Sequence, residues 1–130
     1  MNQLAPLPSP ASSPALALPA LIAAADDTTR LRFLEFFAVT IRNPHTRRAY
    51  ARAAGDFLAW VAERGVASLA GVQPLHVGAW IEALGREVAA PSVKQQLAGV
   101  RRLFDWLVMG QVMPVNPAAS VRGPAHSQRR

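Results

Sequence analysis

The sequence predicts an all-α protein: a compact four-helix bundle with short connections behind a disordered N-terminal tail. Three observations carry that expectation. Apolar residues recur at three- and four-residue steps in four separate stretches. Helix-start residues open each stretch, at Asp26–Asp27, Pro44, Pro74 and Pro91, and glycines close three of them, at Gly65, Gly85 and Gly110. Strand-like alternation occurs nowhere.

Met1 to Ala25 is rich in Pro, Ala, Leu and Ser and carries no charged side chain. Pro6, Pro8, Pro10, Pro14 and Pro19 interrupt any secretory signal core, and no run is long enough to cross a bilayer. This segment reads as a disordered, partly polyproline II tail, with Leu16–Ala25 left open as a backward extension of the first helix.

The first helix is expected from Thr28 to about Ile41. Leu31, Leu34, Phe37, Ala38 and Ile41 form its inner stripe, and Arg30 and Arg32 lie near its exposed side. The second runs from the N-cap Asn43 to Arg64, with Tyr50, Ala54, Phe57 and Val61 on one apolar stripe. On the helical wheel Arg48 and Arg52 lie roughly 160° and 200° from Tyr50, on the opposite face, which His45 joins and Arg47 flanks. Its first two turns carry only positive charge, where the helix dipole favours acids. That arrangement is unfavourable unless anions come from outside.

In the connection that follows, Leu69 and Val72 are expected to tuck under the bundle. The third helix opens at Pro74 and buries Val77, Trp80, Ile81 and Leu84. The fourth opens at Pro91, buries Val93, Leu97, Val100, Phe104 and Leu107, and turns Gln95, Ala98, Gly99, Arg102 and Trp106 outward, with Lys94 and Arg101 at the border. Ala98 and Gly99 are short enough to admit a bulky partner to the backbone. Gln95 has the donors and acceptors that a base-edge reader needs. The stretch from Pro114 to Arg130 reads as a linker or tail. The expected division is thus tail 1–25, helical domain 26–113 and linker 114–130.

Fourteen Lys and Arg against eight Asp and Glu give a net charge of +6. Excluding Asp26 and Asp27 leaves six acids, so Thr28 onward carries 14 − 6 = +8. Such a balance favours nucleic acid, an anionic membrane or another acidic partner. With no cysteine there is neither a disulfide framework nor a thiolate metal site, which is compatible with a cytoplasmic location. His45, His76 and His126 lack ligand spacing, so neither metal nor cofactor is expected. No acid, base and nucleophile converge as a small-molecule enzyme requires.

The order of these features resembles the N-terminal core-binding domain of tyrosine recombinases and phage integrases. T-x-x-x-Y followed by F-x-x-W stands at Thr46, Tyr50, Phe57 and Trp60. The link and proline-opened helix stand at Leu69, Val72, Pro74 and Val77. Ser92, Val93, Leu97, Val100, Arg101, Leu103, Phe104, Trp106 and Leu107 match the last-helix signature, and Asn116, Pro117 and Val121 the exit N-P-x-x-x-V. The resemblance covers roughly residues 28 to 124.

It implies an orthogonal, SAM-like bundle that forms half of a clamp on double-stranded DNA, with its second and fourth helices toward the major groove. The implied contacts are Thr46, Arg47, Arg48 and Arg52 on one helix and Lys94, Gln95, Arg101 and Arg102 on the other. Other recombinase subunits are implied partners. The family's catalytic Arg…His-x-x-Arg…Tyr constellation has no counterpart here, and the single tyrosine, Tyr50, lies on an apolar stripe. The expectation is a DNA-binding module that is not an enzyme by itself.

Bland readings stand beside these. Tyr50, Trp60 and Trp80 read as packing residues, and Asp105 as an ordinary surface acid. Trp106, on the outer side of its helix, reads as packing or as a contact to a further domain or subunit. Arg122, Arg129 and Arg130 read as backbone-following or simple tail charges. The alternatives to DNA docking are a helical protein-interaction module and a non-functional integrase remnant.

Overall fold

Proline and side-chain caps set the element boundaries in the computed structural model, which describes residues 18–124. In chain order the α-helices are α1 (Ala20–Ala23), α2 (Asp27–Glu35), α3 (Pro44–Glu63), α4 (Pro74–Gly85) and α5 (Ala90–Met109). A π-helical turn, Phe36–Thr40, continues α2, a 3-10 turn, Leu69–Gly71, precedes α4, and there is no strand among the described residues. The Asp26 carboxylate accepts from the Thr29 backbone N–H at 2.8 Å, which starts α2 and holds the carboxyl below its usual pKa. Asn43 Oδ1 accepts from the N–H groups of His45 and Thr46 at 2.8 and 3.2 Å and starts α3. His76 Nδ1 accepts from the Gln73 N–H at 2.9 Å at the head of α4, which gives that histidine a capping role.

The core lies between α3 and α5, the two longest helices. Phe57, Val61, Leu97, Val100, Phe104 and Leu107 are essentially inaccessible, and Phe57 meets Trp80 and Phe104 edge-on at centroid distances of 5.1 and 6.1 Å. Leu69 and Val72 are buried, as their spacing predicts, as are Val77, Trp80 and Ile81 of α4.

The first long helix departs from its expected form. Its apolar spacing predicts an unbroken run to Ile41 with Leu31, Leu34 and Ala38 inward; instead Thr29, Phe33 and Phe36 face the core, and Leu31 and Leu34 are 51% and 45% exposed. Aromatic burial decides the face, because a phenyl ring removes more area from water than a leucine. Phe37 stacks edge-on against both Phe33 and Phe36, and the widened turn brings the rings together. Ile41 is buried, as expected.

Two boundaries also move. Residues 1–17 of the expected tail lie outside the described residues, but Leu21 and Ile22 of α1 are buried in the core. Arg30 holds α1 in place by donating to the carbonyls of Ala23 and Ala25. At the other end, Pro117 and Ala118 are buried, so the first part of the expected linker packs on the bundle. The left-handed residue after α5 is Gln111, with φ 63°, rather than Gly110. At Gly110 a Cβ would stand 2.8 Å from Arg32 Cδ, on a flexible side chain that can shift.

Candidate nucleic-acid interface

Two of the eight residues expected to face a ligand are held by the protein's own backbone. Arg47 donates from Nε to the Phe37 carbonyl at 2.8 Å and from a terminal nitrogen to the Ile41 carbonyl at 2.6 Å. It therefore ties the start of α3 to the π turn. Arg101 donates from Nε to the Ala118 carbonyl at 3.1 Å and from a terminal nitrogen to the Val121 carbonyl. Both are half-buried. Charge-assisted bonds to chain carbonyls make them structural anchors.

The remaining cations are exposed. Arg48 donates to His45 Nδ1 at 2.9 Å at the surface. Arg52 lies 3.9 Å from Asp56, with the two side chains 86% and 60% exposed. An exposed pair at that separation contributes little in water, so the guanidinium stays available. Lys94, Gln95 and Arg102 are exposed on α5, and Thr46 is half-buried in the first turn of α3. Neither α3 nor α5 has an acid in its first turn. Arg42, exposed just before the Asn43 cap, is a further cation at this end of α3 that sequence reading left out; its position beside a helix start was the available signal.

The seam between the two helices is set by Tyr50 and Gly99. A Cβ on Gly99 would stand 2.7 Å from Tyr50 Cδ1 and 2.9 Å from Cγ. The bulky partner that this small residue admits is thus the protein's own tyrosine. Gln95 lies one turn before Gly99 and Arg102 one turn after, and the Arg102 guanidinium carbon is 6.0 Å from the Tyr50 ring centroid. Since Tyr50 faces α5, Arg48 and Arg52 stand on the far side of α3. Of the cations, Arg102 thus lies at the seam, Lys94 lies about 140° around α5 from Gly99 on the flank that Gly123 packs against, and Arg48 and Arg52 lie beyond α3, so they form no single cluster.

Trp106 belongs to the body: its indole N–H donates to the Arg32 carbonyl at 2.9 Å. Asp105 accepts from Asn116 at 2.8 Å, so it is more than an ordinary surface acid. Among the described residues, no group of three or more His, Cys, Asp or Glu is placed to hold a metal ion, and no helix is long and apolar enough to cross a membrane.

The described residues form an all-helical body with no strand, as a SAM-like domain requires. The chain belongs to the family of the phage integrase N-terminal SAM-like domain, whose family model matches residues 32–111. Among its relatives are the tyrosine recombinases XerC of Xylella fastidiosa strains M23 and Temecula1, each 32% identical over 81 residues, and that of strain 9a5c at 31%. Each alignment covers 62% of this chain and 28% of the relative's length. No solved structure matches it significantly.

Proposed function

We propose that this chain docks on duplex DNA as the DNA-binding module of a tyrosine-recombinase or integrase-type protein. The observation that carries the reading is the set of exposed cations Arg48, Arg52, Lys94 and Arg102 on the two longest, adjoining helices, with no acid in the first turn of either. Arginine and lysine neutralise phosphates and release counterions, which supplies affinity. Gln95, beside the Tyr50–Gly99 seam, supplies base-edge contacts, helped by Thr46 and Arg102. Arg48, Arg52, Lys94 and Arg102 then meet phosphates at separate points along the duplex.

Strand cleavage needs an attacking phenol and an arginine pocket for the phosphate. Tyr50, packed on Gly99, does not supply that phenol. On this reading the chain docks, and the chemistry comes from residues beyond this bundle or from another subunit.

Fluorescence-anisotropy titration of short duplexes tests the reading. Replacing Arg48 and Arg52 together by Ala should weaken binding to all sequences alike, and should reduce the loss of affinity between 50 and 200 mM salt roughly tenfold. Gln95→Ala should change the preference between sequences more than the overall affinity. Unchanged affinity in the double variant overturns the reading. A rival, a helical protein-interaction module, draws on Leu31, Leu34 and Val39, which are exposed on α2 and the π turn. Light scattering that finds a dimer indifferent to DNA would favour it.

A further inference from the structure

The segment that follows α5 returns along that helix toward its start. Asn116 donates from Nδ2 to the Arg101 carbonyl at 3.0 Å and to Asp105 at 2.8 Å, and its Oδ1 accepts from the Ala118 N–H at 2.8 Å. Arg101 in turn holds the carbonyls of Ala118 and Val121. Farther along, a Cβ on Gly123 would stand 3.3 Å from Lys94 Cγ and 3.7 Å from Leu97 Cδ2. The chain thus passes the levels of residues 105, 101 and 94 in turn.

Arg122 lies between the carbonyl that Arg101 holds and the glycine that packs on Lys94. It is exposed, and among the described residues it makes no hydrogen bond or ion pair. Its backbone is thus held on both sides, and its side chain is exposed. A fixed cation loses less freedom on meeting an anion than one on a loose tail.

We infer that Arg122 is a further phosphate contact, delivered beside Lys94 by the Asn116–Arg101 latch, so that the exit segment extends the DNA-binding surface of α5. This inference rests on the DNA-docking reading. Asn116 acts as a positioning residue and Arg122 as the contact.

The test is anisotropy titration of the full chain with a short mixed-sequence duplex from 50 to 200 mM salt. Arg122→Gln should shrink the salt-induced loss of affinity about 3.5-fold, the share of one phosphate contact, with the thermal melt unchanged. Arg64→Gln removes an exposed cation stacked over Trp60 at the other end of α3 and should leave the salt response as in wild type. Asn116→Ala should weaken binding when Arg122 is present and have little further effect in the Arg122→Gln background. A wild-type salt response in Arg122→Gln, or an equal Asn116→Ala effect in both backgrounds, overturns the inference and leaves the docking reading standing. Salt-independent or absent binding by the wild type overturns both.

Discussion

Arg47 and Arg48 are adjacent in sequence and do different work. They project about 100° apart on α3, which turns Arg47 onto the carbonyls of Phe37 and Ile41 and leaves Arg48 at the surface. Arg47→Ala should therefore lower stability by about 1–3 kcal/mol in urea denaturation, since two backbone acceptors lose charged donors at a half-buried site. Arg48→Ala should stay within about 0.5 kcal/mol of wild type, as exposed substitutions do. Equal effects would refute the division into anchor and surface cation. The sequence could not separate the two, because the acceptors lie in and just after a π turn that apolar spacing reads as ordinary helix. Arg101 was hidden for the same reason: its acceptors lie in a stretch whose prolines and glycine read as linker. Gly99 shows the opposite case, a small residue whose meaning was half legible. Ala at that position favours helix by up to about 1 kcal/mol over Gly, but its Cβ would press on the Tyr50 ring at 2.7 Å. The nearest atoms belong to the base of a packed ring, so overpacking at about 1–3 kcal/mol outweighs the propensity gain. Gly99→Ala should be destabilising in thermal melts, and a higher melting temperature would mean that the helices separate easily.

Among the elements, α3, α4 and α5 were the most legible, because each couples a proline start to a clean three- and four-residue apolar repeat. In α2 the leucines and the phenylalanines offered two competing faces, and only the packing of Phe33, Phe36 and Phe37 decides between them. The short α1 carries too little sequence for a periodicity; it is held by burial of Leu21 and Ile22, each worth about 1.5–3 kcal/mol. The start of α2 gives a pH prediction. The Thr29 N–H stabilises the ionised Asp26 carboxylate and lowers its pKa below the ordinary 3.8. A depressed folded pKa adds stability that is fully present above the unfolded value and is lost as pH falls through the folded one. The melting temperature of wild type should thus exceed that of Asp26→Ala at neutral pH, with the gap closing only in acid below the ordinary carboxylate range. A gap that persists unchanged there would mean that the carboxylate charge is not what caps the helix.

At the scale of the whole molecule, the +6 balance is divided between structural and free cations. Composition alone counts Arg47 and Arg101 with the rest; the fold withdraws them, and it holds the backbone on both sides of Arg122, at Val121 and at Gly123 against Lys94. The candidate surface was accordingly legible as two helices, but its membership had to await contacts between segments distant in sequence. The four cations of the proposed interface, Arg48, Arg52, Lys94 and Arg102, or five with Arg122, set the salt response expected of DNA docking. The most direct measurement is the affinity of the intact chain for duplex DNA at 50 and at 200 mM salt. DNA docking through these cations should show a fall of roughly 150- to 500-fold between the two; an affinity that stays flat across that range would contradict it.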